Sequence, residues 1–270
     1  MAEEPLLLFP PFFGGKLLEP NVLMVILPSI ISFSLAASSG YIVNDIMDRE
    51  SDRCHSTKKN RPIARGDISV LLACMVAVFL CATAIIVSSL VSRELEGILI
   101  IYFITSFLYS LYFKYVVIVD IFVIAFGFLL RVMAGGVAFH VTISGWLFLT
   151  VFLVALFLSA GKRLGELIVL HEAASNHRSS LKYYSRSFLE GILWFAASAA
   201  LVTYALYIIE KRESMLYTVP VATYGLFRYI YIVKEGREGR GDPTEILLKD
   251  EHIIVTGIVW VAMIGTILYK

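Results

Sequence analysis

Charge is the first thing this sequence lacks. Only 17% of its 270 residues are Asp, Glu, Lys or Arg, where a soluble domain carries about 25%. Hydrophobic residues make up 58% and the mean hydropathy is +0.79, which excludes intrinsic disorder and an ordinary cytosolic domain. Cysteine is scarce as well. Cys74 and Cys81 lie in one apolar stretch and Cys54 in a charged one, without pairing or metal-ligand spacing, so a disulfide scaffold is excluded. His55, His140, His171, His177 and His252 are scattered with no ligand spacing. The N-terminus, MAEEPLLLFPPFFGGK, lacks the basic residues of a secretory signal, and Pro5, Pro10 and Pro11 break its short apolar stretch. It reads as the tail end of a membrane helix whose start is missing. The net charge is only +1. No nucleic-acid partner is expected, and no oligomeric state is read from the chain.

What is present is a series of apolar blocks. Residues 22–43, 68–91, 97–113, 115–138, 145–161, 188–209, 215–233 and 252–269 are each long and apolar enough for a transmembrane helix, which needs about 20 residues. The runs are continuous rather than alternating, which favours helices over a barrel. The sequence therefore predicts an all-α, polytopic membrane helix bundle, a single domain over 1–270 with eight full spans and a partial ninth at 5–15. Tyr41, Tyr109, Tyr112, Trp146, Tyr217 and Tyr269 lie near span ends, as interfacial anchors do. Sorting Lys and Arg by side places 16 of 23 on the face that holds the long polar loops 44–67, 162–187 and 234–251, and 5 on the other; Arg131 and Arg228 fall inside spans. The positive-inside rule makes the loop-rich side cytoplasmic, so the chemistry is expected there, at the plasma membrane.

The first of these loops opens with YIVNDIMDRESDRCHSTKKNRPIARGDIS. If the helix continues for two turns, Asp45, Asp48 and Asp52 fall within about 60° of one another on one face. Like charges at these spacings repel. A hard cation such as Mg2+, held by carboxylates and substrate phosphates, is the natural compensation. Arg49, Arg53, Lys58 and Lys59 are alternative partners for the same acids.

Asn44-Asp45-x-x-Asp48-x-x-x-Asp52 followed by Lys59-x-Arg61-Pro62-Ile63-Ala64-x-Gly66 resembles the first signature of the UbiA superfamily of intramembrane transferases. That resemblance implies a nine-helix bundle and a diphosphate-bearing substrate bound through Mg2+. Classical members carry a second aspartate motif after the sixth helix. Here that place reads SAGKRLGELIVLHE, with Lys162, Arg163 and Glu166 and no aspartate pair. A Lys-Arg pair presents fixed positive charge to phosphate, although basic residues at a cytoplasmic helix end are also ordinary.

Two ionisable residues, Asp120 and Arg131, sit inside the fifth span. Charges at that depth usually face a cavity or a partner. Their spacing returns them to nearly the same face, about 16 Å apart along the axis. They are expected to line one cavity or to pair with neighbouring helices.

Three further stretches resemble one branch of the superfamily, the decaprenyl-phosphate phosphoribosyltransferases: Tyr109-Ser110-x-x-x-Lys114, Gly161-Lys162-Arg163-x-x-Glu166-Leu167 and Gly241-Asp242-Pro243-Thr244-Glu245. The branch begins with an R-P-x-Q-W-like stretch that this chain does not show. Gly241–Glu245 also reads as a capping box for the helix entering the last span. The branch implies phosphoribosyl diphosphate as donor, a polyprenyl phosphate lipid as acceptor and Mg2+ as cofactor. Asp45, Asp48 and Asp52 would then hold the metal, with Asp45, Asp48 and Asp120 catalytic. Asn44, Arg53, Lys58, Arg61, Tyr109, Lys114, Arg131, Lys162, Arg163 and Glu166 would bind substrate. An ordinary prenyltransferase, joining a prenyl diphosphate to an aromatic or glycerol-phosphate acceptor, is the alternative; a small-solute transporter fits less well, because the acid motif lies in a long cytoplasmic loop.

Overall fold

A computed structural model describes residues 4–54, 58–170, 181, 183–235, 247 and 249–269. Among the described residues the long elements are all α-helices: α1 (Pro20–Met47), α2 (Val70–Val91), α3 (Arg93–Leu111), α4 (Val119–Ala138), α5 (Gly145–Leu170), α6 (Arg186–Lys211), α7 (Val219–Glu235) and α8 (Glu251–Leu268). Seven of them are long and apolar enough to cross a membrane. The eighth, α7, has 17 described residues, the lower end of the length range of transmembrane helices. The N-terminal segment predicted as a partial span forms a 3-10 turn, Glu4–Leu8, and a short helix, Phe9–Phe13, whose prolines occupy its first turn.

Helix boundaries follow their caps. Ser69 accepts from the Leu72 N–H and starts α2. Ser92 closes the one-residue gap after α2 and accepts from the Leu95 N–H, so α3 begins ahead of its apolar block. α4 begins at Val119 rather than 115. Phe113–Tyr115 forms a 3-10 turn, and Ile118 then takes φ 70, a conformation that a β-branched residue rarely adopts. α5 corrects the sequence reading: it continues through Leu170, so Lys162, Arg163 and Glu166 lie on a helix and not in a loop 162–187. Ser185 and Asp250 cap α6 and α8 in turn.

The chain divides into two compact units, Met1–Val123 with Leu130–Thr142, and Ile124–Leu129 with Ile143–Lys270. In the first, small residues let backbones approach. Ala36 and Ala37 of α1 and Ala73, Ala77 and Ala84 of α2 are buried, and the Ser39 hydroxyl donates to the Ala77 carbonyl at 2.9 Å. A side chain at Gly40 would meet Ser106 Oγ of α3, and one at Gly135 of α4 would run into the Leu7 carbonyl. The core here includes Leu7, Phe33, Leu95, Leu99, Tyr102 and Leu130. In the second unit α5 runs along α6, and α7 packs against α5, α6 and α8. Leu156, Phe157, Leu164, Leu193, Tyr207 and Tyr229 are buried there. Outward-facing Leu71, Met75, Val78, Phe79, Ile86 and Leu90 leave α2 with the apolar surface that a lipid-facing helix requires.

Candidate active site

α1 ends at Met47, and Asp48 (φ −89, ψ 1) separates it from a further turn, Arg49–Arg53. The Asp48 N–H still donates to the Asn44 carbonyl and the Asp52 N–H to the Asp48 carbonyl, each at 2.8 Å. Helical spacing thus survives the break. The chain then passes through a 3-10 turn, Lys58–Asn60, into a one-turn helix, Pro62–Arg65. Pro62 at its first position holds Arg61 extended (φ −62, ψ 138), and Gly66 ends it at φ 92, a conformation suited to glycine.

This folding aims Arg61 back at α1. Its Nη1 donates to Asp45 Oδ1 at 2.7 Å and to Asp52 Oδ2 at 2.8 Å. Asp52 is only 3% exposed. Arg53 ties the loop together: its Nε donates to the Ala64 carbonyl at 2.9 Å and its Nη1 to Glu50. Lys58 lies near enough for its charge to act on Asp45. The third acid has a different partner. Lys114, 2% exposed on the turn after α3, donates from Nζ to Asp48 Oδ1 at 2.5 Å. Asn44 Nδ2 donates to Asp48 Oδ2 at 3.1 Å. Ser110 is buried beside this group and Tyr109 is half-buried next to it in sequence.

The donor set suits a divalent ion in one specific way. Both Arg61 bonds run to a single nitrogen, so the Asp45 and Asp52 oxygens are no farther apart than those two bonds laid end to end. Asp45 and Asp52 thus carry the hard carboxylate oxygens that would hold a divalent cation together with substrate phosphates. Among the described residues no trio of His, Cys, Asp or Glu converges to hold a metal; Asp48 is engaged by Lys114.

Asp120 and Arg131 are both buried in α4. Asp120 Oδ1 accepts from the Ile121 N–H at 2.9 Å. The Arg131 guanidinium lies 5.2 Å from each of the Phe33 and Tyr102 rings, and its Nη2 reaches the Tyr102 hydroxyl at 3.4 Å. It is thus held among the aromatic residues of the first unit's core.

In the second unit, Arg163 is 1% exposed and its Nη1 donates to Glu166 Oε2 at 3.0 Å, one turn along α5. Lys162 is half-buried. The glycine before them has a packing reason: a Cβ at Gly161 would collide with the Tyr229 ring of α7. Arg228 meets Asp250 with two bonds, Nε to Oδ1 at 3.2 Å and Nη2 to Oδ2 at 2.9 Å. Asp250 also accepts from the Ile253 N–H. The Arg228 hydrogen bond, helped by that backbone donor, holds its carboxyl below the usual aspartate range. This pair was absent from the sequence reading, which sought the cap at Gly241–Glu245, outside the described residues. The Asp48–Lys114 contact joins residues 66 apart; only the branch-specific Tyr-Ser-x-x-x-Lys stretch hinted at it.

Comparison with known proteins gives the family. Residues 8–245 match the UbiA prenyltransferase family. A decaprenyl-phosphate phosphoribosyltransferase of Mycolicibacterium smegmatis is 31% identical over 254 residues, covering 89% of this chain and 79% of that protein. Its counterpart in Mycobacterium tuberculosis is 32% identical over 249 residues, covering 91% and 82%. A UbiA homolog from Archaeoglobus fulgidus, solved with GPP and Mg2+, superposes with a TM-score of 0.78 at 16% identity, covering 99% of this chain and 95% of that one. With its acid motif, its membrane-spanning helices and these relatives, the chain belongs to the UbiA prenyltransferase family and is a multi-pass membrane transferase.

Proposed function

We propose that this protein is a Mg2+-dependent transferase that moves a 5-phosphoribosyl group from phosphoribosyl diphosphate to a polyprenyl phosphate, releasing diphosphate. It would do so at the cytoplasmic face of the plasma membrane. The observation that carries the reading is the basic stretch Gly161-Lys162-Arg163-x-x-Glu166, which stands where the classical enzymes of the superfamily have a second acid pair. The two mycobacterial relatives bear a name for this reaction and match about nine-tenths of the chain, which supports it.

In this reading Asp45 and Asp52 supply carboxylate oxygens to Mg2+ together with the donor diphosphate. Mg2+, when bound, offsets the negative charge that develops on the departing diphosphate. Asp48 is oriented for the same site by Asn44 and Lys114. Arg61, Lys58, Lys162 and Arg163 bind phosphate oxygens, where guanidinium forks bind best; Glu166 sets the Arg163 fork. Arg53 holds the loop that carries Arg61. Tyr109 and Asp120 orient the ribose. The bond from C1 to the diphosphate breaks as an oxygen of the lipid phosphate bonds to C1. That phosphate is already anionic near neutral pH, so no general base is required.

Purified protein incubated with Mg2+, phosphoribosyl diphosphate and a polyprenyl phosphate should release diphosphate and form a phosphoribosyl lipid. No product with this pair, alongside consumption of a prenyl diphosphate, would transfer the protein to the prenyltransferase reading.

A further inference from the structure

All three motif carboxylates are paired with a cationic side chain of the protein itself. Asp48 has Lys114. Asp45 and Asp52 share one nitrogen of Arg61. Two carboxylates drawn to one point repel unless positive charge lies between them. Here that charge arrives on a guanidinium from a separate segment, the extended residue ahead of Pro62. A positive atom within bonding distance of two carboxylate oxygens is the arrangement a shared divalent ion would make.

Resting on the reading of this motif as metal-dependent, we propose that Arg61 is the protein's own stand-in for the metal. It holds Asp45 and Asp52 together while the site is free of ligand and gives way when the ion enters. Its guanidinium then turns to the phosphate oxygens of the donor. The electrostatic argument is direct: Arg61 Nη1 already engages the two carboxylates that a shared metal would need. The two cations also differ in freedom. Lys114 is 2% exposed, whereas the Arg61 side chain is 35% exposed and can withdraw without being stranded in the interior. Its loop is tied a second time, where Arg53 holds the Ala64 carbonyl. Withdrawal of Arg61 leaves that second tie in place and the helix Pro62–Arg65 attached. Metal alone must compete with Arg61, whereas metal with a diphosphate gives Arg61 a new anionic partner. The two ligands consequently bind with positive coupling, and by linkage each favours the other equally.

The test is a Mn2+ titration of the purified full chain, read by the paramagnetic signal of the free ion, without donor. Arg61→Met should bind Mn2+ about tenfold more tightly than the unsubstituted protein, as expected when a charged hydrogen-bonded competitor is removed. Arg65→Met, on the same loop but paired with Asp67, should leave the affinity unchanged. Amide exchange of the unsubstituted protein gives a second readout. Residues 58–61 should exchange faster with Mn2+ alone and slow again when inorganic diphosphate is added. Equal or weaker Mn2+ binding by a folded Arg61→Met protein would make Arg61 a permanent bridge and overturn the proposal. If that variant does not fold, unchanged exchange at saturating Mn2+ overturns it instead. Failure of both proteins to bind Mn2+ would remove the metal reading of the motif itself.

Discussion

The acid end of α1 and the basic stretch of α5 are built from the same few residue types, yet they are held in opposite ways. At the acid end the partners come from far along the chain: Arg61 lies 16 residues from Asp45, and Lys114 lies 66 from Asp48. In α5, Arg163 finds Glu166 three residues away on the same helix, and Gly161 lets α7 pack closely beside them. A network joined across segments can exchange partners when a ligand arrives. A pair set one turn apart on a rigid helix is fixed before it does. The contrast teaches that the first region is the one that rearranges and the second the one that waits.

Substitutions can break this contrast, and the largest effect belongs to the acid end. Asp45→Ala removes one of the two carboxylates that share Arg61, and turnover should fall at least about a hundredfold, as when a transition-state charge partner is lost. Arg61 keeps Asp52, so the melting temperature should stay near that of the parent. Preserved turnover in a folded Asp45→Ala protein would empty the acid motif of its role.

Gly161→Ala is next. The new methyl must displace the Tyr229 ring, and overpacking of this kind costs about 1–3 kcal/mol. Thermal unfolding in detergent should show the loss, and adding Tyr229→Leu should recover part of it. No recovery would mean that the close approach of α5 and α7 is not what the glycine serves.

Glu166→Gln tests the waiting region at its partner. Weakening one charge-assisted hydrogen bond should raise KM for the donor about tenfold, without changing the Mg2+ concentration that gives half-maximal rate. A shifted Mg2+ requirement would show that the two regions are not separate in function.

The smallest effect lies away from both. Asp250→Asn keeps a capping oxygen for α8 but weakens the Arg228 pair, at about 1 kcal/mol or less. The Asp250 carboxyl is held below its usual value of 3.8. Its stabilising contribution is therefore complete above that value and is lost as pH falls through the lower, folded-state value. Unfolding of the parent protein between pH 3 and 7 should show a loss at the acid end that Asp250→Asn lacks.

The apolar blocks made the spans legible, since each had to satisfy its own backbone in lipid. The motif from Asn44 to Gly66 made the acid end legible, because its proline and glycine act locally. The end of α5 was hidden, since charge marks where the apolar block stops and not where hydrogen bonding stops; Arg163 and Glu166 pair along the helix and carry it onward. The late start of α4 depends on the φ of Ile118, which no residue preference announces. Lys114 reads from the sequence as a substrate-binding residue, and its bond to Asp48 depends on how α3 and the turn after it fold. Arg61 read as a phosphate ligand, and its present partners are carboxylates.

Offering both donors together tests the central claim most directly. The purified protein would receive polyprenyl phosphate, Mg2+, phosphoribosyl diphosphate and a prenyl diphosphate in one reaction, with the lipids then weighed by mass spectrometry. The account predicts that polyprenyl phosphate gains one phosphoribosyl unit, only when Mg2+ is present, while the prenyl diphosphate is untouched. Consumption of the prenyl diphosphate with no phosphoribosyl lipid would contradict it.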